Sequence, residues 1–477
     1  MSRRFLAAAL AVAAACRNPP LHPKTAASAA PASAVVTAGN PLNVVLITID
    51  TLRADHLGAY GYARPTSPRI DALARSGALF ERAYTFWPKT RGSFVMMMTG
   101  RRPSVNGYSK THPILVDFNP TLASVLKGAG YQTTALVDNP NVAARYGYSK
   151  GFDRYRETWE EKGLESEMAR TRAITTEAVS FLRERKSEAP FLLWLHYVNP
   201  HAPYTPPAPY DRAFMDKGAQ STKRLPVVPG FHGGIPKQWA VEGQDRLGYY
   251  VAQYDGEIAA VDQEVGQVID AVAAAGLTGK TLVVLTSDHG ESLGEHEYYF
   301  DHGEDLFEPS MAIPLIVALP GAAAGVRSRA LASTLDLVPT VLDLLKVSYP
   351  PDLAGVSLLA EARGQAAGPA ARLFGQNERN LTATWDERYR LVATPVEGGA
   401  KLALFDRASD PGETRDVSRS SVEAMRTARR ELELFQERGD REWARTRPLL
   451  EGKAGELPMS DDARQRLCAL GYVRCEN

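Results

Sequence analysis

Three apolar runs in this chain stop on side chains able to hold a metal or an anion. NVVLITI at Asn43–Ile49 stops on Asp50, the run 191–195 stops on His196, and TLVVL at 281–285 leads to Ser287-Asp288-His289. Unbroken β-branched and aliphatic runs of this length suit strands covered on both faces, as in a parallel sheet. A further strand is predicted at 133–137, with helices over 67–76, 121–127, 168–185 and 250–275. Strands alternating with helices predict an α/β fold, a doubly wound and mostly parallel sheet with right-handed crossovers. In such sheets ligands bind beyond the carboxyl ends of the strands, where Asp50, His196, Asp288 and His289 fall.

The chain has flanking segments of other kinds. Arg3 and Arg4 precede an unbroken apolar run from Phe5 to Ala15 that ends Ala-Ala-Ala-Cys16. A run this long is a signal-type segment and too short to span a bilayer, so 1–16 are read as an export signal. The ending resembles the lipobox of bacterial lipoproteins, with Ala13 where Leu is usual. The protein is then expected in the cell envelope, membrane-attached through a lipidated Cys16, or else secreted or periplasmic after cleavage; an uncleaved anchor is the third possibility. Residues 17–40, rich in Ala, Pro, Ser and Thr, read as a disordered linker. The main α/β domain is placed at 41–370 and a smaller C-terminal α+β subdomain at 371–477, after a composition change at 364–371. That subdomain holds the strands RLVATP and KLALFD and a charged helix, 420–445, whose charges read as a solvated face. Pro and Gly crowd 201–236, which predicts a long surface excursion near the mouth of the site.

Composition excludes some functions. Lys and Arg total 55 against 55 Asp and Glu, so no basic excess recruits nucleic acid. Three cysteines, Cys16, Cys468 and Cys475, are too few for a disulfide scaffold or a Cys-rich metal site. Cys468 and Cys475 either stay free or pair, and pairing requires the helix to end between them, as Gly471 allows.

The chemistry follows from residue types. Asp50 and Asp288 supply hard anionic oxygens and His289 a nitrogen, a set suited to one divalent ion such as Zn, Mn, Mg or Ca. A nucleophile is sought among hydroxyls near that ion. Thr90 and Ser93 stand just ahead of an apolar helical stretch, where free backbone N–H groups and the helix dipole favour an anion. The run Met96 to Met98 reads as core packing for that helix.

These residues recur in an ordered set of motifs: NVVLITIDTLRADHLGAYGY from Asn43, Met98-Thr-Gly100-Arg-Arg-Pro103, Gly130-Tyr-Gln-Thr133, Pro200-His-Ala-Pro203, Ser287-Asp-His-Gly-Glu291, Leu335-Asp-Leu-Val-Pro-Thr340, Leu404-Phe-Asp406 and Asp410-Pro-Gly-Glu413. In this order they resemble the sulfatase family of the alkaline-phosphatase superfamily, from about Leu42 to Val473. The resemblance implies that fold, ester hydrolysis, and a metal held by Asp50, Thr90, Asp288 and His289. It also marks a departure. Sulfatases of this family convert Cys or Ser of a C/S-x-P-x-R motif to formylglycine, whereas the nucleophile position here is Thr90 and the Pro and Arg positions are Gly92 and Phe94. Thr cannot become formylglycine, and Thr at this position resembles the phosphoryl-transfer branches of the superfamily. Thr51 stands where a second Asp is usual, which favours a transition metal over Ca.

By the same resemblance, His302 and His201 fall at positions that contact the transferred group, and either suits general acid work. Arg91, Asn139 and His196 are expected among the substrate-binding residues, Arg91 in place of the missing motif Arg, Asn139 as a donor to an anion oxygen, and His196 from a strand end that also fits a supporting role. Three functions remain open. The first is a hydrolase of phosphate mono- or diesters, or a phosphotransferase, on a small-molecule, lipid or glycan ester. The second is a sulfatase acting through Thr90 without formylglycine. The third is a non-catalytic anion-binding protein.

Overall fold

The computed structural model describes residues 42–215, 223–365, 372–452 and 459–472. The signal segment, the linker, Cys16, Cys475 and most of the 364–371 boundary lie outside the described residues. Among the described residues no helix is long and apolar enough to cross a membrane.

The central sheet has nine strands. Thr281–Ser287, Asn43–Ile49, Phe191–Tyr197, Gln132–Val137 and Arg154–Glu157 lie side by side and parallel. Period-two alternation explains why both faces are covered. Val44 and Leu46 pack with Leu192 and Trp194 into one core, which also takes the helices Thr90–Thr99, Leu122–Gly128 and Leu337–Leu345. Val45, Ile47 and Ile49 join Leu193 and Leu195 in the other, under the helices Pro68–Ser76, Glu167–Glu184 and Leu247–Ala274. Met96, Met97 and Met98 are buried in the first of these cores, as expected. Each aliphatic side chain so buried contributes about 1.5–3 kcal/mol.

The far edge is mixed. Leu315–Ala318 runs antiparallel to Thr281–Ser287 and to Ala78–Tyr84, which pairs in parallel with Val326–Ser333. None of these three strands is marked by a long apolar run.

A four-stranded antiparallel sheet follows, Leu373–Gln376, Thr382–Trp385, Tyr389–Val396 and Gly399–Asp406 in sequential order. The helix Val422–Thr446 buries Ala428, Leu432 and Phe435 at helical spacing and stacks Phe435 on Phe374 at 4.4 Å. Its exposed face carries Arg426–Glu423 and Arg429–Glu433 pairs, the solvated face that the charges predict. Glu413 of the Asp-Pro-Gly-Glu turn pairs at 2.9 Å with the buried guanidinium of Arg390, which also reaches Glu308 at 2.7 Å. A last helix, Asp461–Ala469, ends before Gly471, and Cys468 is disulfide-bonded.

Candidate active site

The strand ends are level. Ile49 pairs with Tyr197 on one side and Ser287 on the other, so Asp50 and Asp288 leave the sheet at the same height. Asp50, Asp288 and His289 are fully buried, and their ligand atoms all lie within 4.8 Å of one another. His289 Nε2 is 3.3 Å from Asp288 Oδ2 and 3.8 Å from Asp50 Oδ1. Neither of those carboxylate oxygens has a hydrogen-bond partner. The other oxygens are held: Asp288 Oδ1 accepts from the backbone N–H of His289 at 3.0 Å and of Thr51 at 3.3 Å.

Two carboxylates this close and this dry are costly without a cation. Burial, reinforced by Asp288, pushes the Asp50 carboxyl well above the usual range. Burial pushes Asp288 up to about 7 and His289 down to about 3. Two orphaned anionic oxygens facing one imidazole nitrogen fit a divalent ion, and fit little else. Thr51, in place of a further carboxylate, turns with φ 54°. A β-branched residue in that region is strained, and the segment holds it there to aim its N–H at Asp288.

Thr90 opens the helix Thr90–Thr99 and is fully buried. Its Oγ1 lies 3.1 Å from His289 Nε2. Ser93, the other candidate hydroxyl, donates instead to the carbonyl of Asp288 at 2.7 Å and so braces the Asp288-His289 loop. The departures around Thr90 have packing reasons. A Cβ on Gly92 would stand 2.3 Å from the Trp87 ring. Phe94, at the missing Arg position, packs edge-on against His196 at 4.7 Å and beside Trp194 at 5.2 Å.

His201 and His302 come together, with ring centroids 5.1 Å apart. His201 Nδ1 donates to the Ala202 carbonyl at 2.6 Å, and His302 Nδ1 faces Glu291 Oε1 at 3.0 Å. Burial pushes His201 down to about 3 and His302 well below the ordinary imidazole range. His196 sits under Asp50, its Nε2 3.7 Å from Oδ2, with Nδ1 on Thr48 at 3.1 Å.

Two expected substrate contacts are engaged elsewhere. Asn139, predicted to meet an anion oxygen, donates its amide to Asp50 Oδ2 at 2.6 Å and so orients a carboxylate of the candidate metal site. Arg91 stacks on Tyr146 at 3.9 Å and donates to Asn141 Oδ1 at 3.0 Å, a tether that holds the guanidinium beside the helix start. Two residues escaped the sequence assignment. Glu291 lies inside a recognised motif but was given no role, although it orients His302. Tyr472 lies 382 residues from Thr90 in the chain, yet its hydroxyl is 2.6 Å from Thr90 Oγ1.

Comparison with known proteins agrees with this geometry. Residues 42–347 match the family described as Sulfatase, and residues 294–438 match N-sulphoglucosamine sulphohydrolase, C-terminal. An arylsulfatase of Clostridium perfringens is 25% identical over 442 residues, covering 79% of this chain and 90% of that protein. The N-acetylglucosamine-6-O-sulfatase of Bacteroides thetaiotaomicron is 23% identical over 407 residues, covering 69% and 72%. Among solved structures, a phosphonate monoester hydrolase of Agrobacterium radiobacter superposes with a TM-score of 0.70 at 23% identity, over 84% of this chain and 96% of that one.

Proposed function

The chain belongs to the sulfatase family, and from that premise we propose that it is an exported, metal-dependent hydrolase that cleaves phosphate mono- or diesters, or transfers a phosphoryl group, through Thr90. The observation that carries this is the Thr90 hydroxyl at 3.1 Å from His289 Nε2, at a position where formylglycine cannot be made. Asp50, Asp288 and His289, with the Thr90 hydroxyl, would hold the metal. When bound it lowers the pKa of that hydroxyl and offsets the charge of the ester anion. Carboxylate and imidazole donors together favour Zn or Mn over Ca or Mg.

The chain's own groups supply the rest. Thr90 Oγ1 attacks phosphorus in line while the bond to the leaving oxygen breaks, giving phospho-Thr90. His201 and His302 turn Nε2 toward the space before Thr90, and one of them takes the Thr90 proton and returns it to the leaving oxygen. A water then attacks phospho-Thr90, with the same imidazole as base, and the Thr90 oxygen recovers its proton. Glu291 fixes the His302 ring, and Asn139 fixes Asp50. Export and lipidation at Cys16 rest on the sequence of residues 1–16 alone.

A second function, sulfate-ester hydrolysis by Thr90 directly, is favoured by the sulfatases among the relatives. Sulfate and phosphate share tetrahedral oxygen geometry, so the shape of the pocket does not separate the two functions. A non-catalytic role has less support, because Asp50, Thr90, Asp288 and His289 are all kept together. The test is paired: metal-stripped protein, reloaded with Zn, Mn, Mg or Ca, is assayed on an aryl phosphate, a bis-aryl phosphate and an aryl sulfate. Either phosphate ester turning over fastest supports the proposal. Sulfate turning over fastest supports the second function, and no turnover with any metal overturns both.

A further inference from the structure

We propose that Tyr472 is a catalytic residue of this centre, its phenol hydroxyl serving as the hydrogen-bond donor to an oxygen of the group that Thr90 attacks. The inference rests on Thr90 as nucleophile.

The delivery of Tyr472 is built into the C-terminal helix. Asp461–Ala469 is capped by Ser460 and buries Ala463, Leu467 and Leu470. Arg466 ties it to Glu167 at 2.8 Å, and the Trp239 indole donates to the Ala469 carbonyl at 3.4 Å. The helix closes with Gly471 at φ 78°, its N–H on the Cys468 carbonyl at 2.9 Å and the Tyr472 N–H on the Leu467 carbonyl at 2.8 Å. This paired closure needs a left-handed residue and sets the direction of the one after it. Here that direction leads into the site.

The site needs what Tyr472 brings. His289 Nδ1 is on the Gly290 carbonyl at 3.0 Å and His201 Nδ1 on the Ala202 carbonyl at 2.6 Å. A carbonyl only accepts, so in the neutral rings the proton is on Nδ1 and Nε2 carries a lone pair. His302 Nδ1 faces the Glu291 carboxyl at 3.0 Å. Two imidazole lone pairs, with His302 Nε2 beside them, therefore border the space before Thr90, and the Asn139 amide is held by Asp50. An ester anion placed there meets these rings on the side away from the helix start, and on that side it requires a donor. The Tyr472 hydroxyl is such a donor, 2.6 Å from Thr90 Oγ1, 3.0 Å from His201 Nε2 and 3.3 Å from His302 Nε2. Its one proton has three candidate partners in the free protein, and an entering anion oxygen competes with them for that bond. The fixed donor sits beside the nucleophile, where charge develops on the transferred group.

The test compares wild type, Tyr472→Phe and Tyr472→Ala, each metal-loaded. Turnover is measured on the aryl ester that wild type cleaves fastest, binding of vanadate and inorganic phosphate by calorimetry, and folding by thermal melts. Loss of one such donor is expected to lower kcat/KM about 30-fold or more and to weaken the anions about tenfold in both variants, with Tyr472→Phe melting like wild type. Tyr472→Phe within threefold of wild type in both measurements, or faster than wild type, overturns the proposal. So does a loss confined to Tyr472→Ala, which assigns the effect to the ring rather than the hydroxyl. If wild type cleaves none of the esters, the Thr90 mechanism fails and the catalytic role of Tyr472 falls with it, whatever the calorimetry shows of anion binding.

Discussion

Asn139 Nδ2 stands 2.6 Å from Asp50 Oδ2, which leaves Asp50 Oδ1 as the free oxygen turned toward His289. Asn139→Ala releases that carboxylate to rotate and is expected to weaken Zn or Mn binding by about tenfold or more. Calorimetric titration of the stripped variant against wild type checks this. Equal affinities would show that Asp50 needs no orienting partner.

Metal affinity should fall as the medium turns acidic. Asp288, raised by burial to about 7, must lose its proton before it can bind a cation. Below about pH 7 affinity is expected to drop about tenfold per pH unit for each proton displaced. In the metal-free protein the sign is that of a carboxyl raised on folding. Protonated Asp288 supports the fold fully below its ordinary 3.8, and that support is withdrawn as pH climbs through about 7. Thermal melts from about pH 5 to 8 should therefore rise more steeply, or fall less, with saturating metal than without. Parallel curves would contradict the site.

Glu291 Oε1 faces His302 Nδ1 at 3.0 Å and fixes the ring. Glu291→Gln keeps the shape and removes the carboxyl, and is expected to lower kcat about 10- to 100-fold with a small change in KM. Steady-state kinetics on the preferred ester reads both. A rise in KM with kcat unchanged would place His302 in binding alone.

Glu413 belongs to stability. Glu413→Ala leaves the fully buried Arg390 guanidinium with Glu308 alone. Removing one partner of a buried ion pair costs about 3 kcal/mol. Urea unfolding should show that loss while the folded variant keeps wild-type kcat. An unchanged midpoint would contradict the role given to this pair.

Much of this was visible in the residues themselves. Asp50, Asp288 and His289 follow strands that announce themselves by unbroken apolar runs, and parallel register brings their ends level. His201 and His302 were legible through motif positions. What pattern could not supply was partnership. Asn139 sits at a strand end, as expected, but only the fold shows its amide facing Asp50 rather than the anion. Ala78–Tyr84 is interrupted by Glu81 and Arg82, which reads against a strand until Arg327 and Glu387 appear as their partners. Leu315–Ala318 is four residues long, too short to carry a period. Tyr472 follows a helix remote in the chain, and Gly471 marked only that the helix ends. Where the next side chain points depends on the burial of Leu467 and Leu470, a tertiary fact.

The central claim is that Thr90 carries the reaction. The most direct measurement is rapid quenching of metal-loaded wild type with its best ester, with peptide mass analysis, beside turnover by Thr90→Ala and Thr90→Ser. The account predicts a phosphoryl adduct on the peptide containing Thr90, or a sulfuryl adduct if the preferred ester is a sulfate. It also predicts loss of about 10³-fold or more in Thr90→Ala, with measurable activity kept in Thr90→Ser. Thr90→Ala turning over within about tenfold of wild type, or an adduct on another residue, would contradict it.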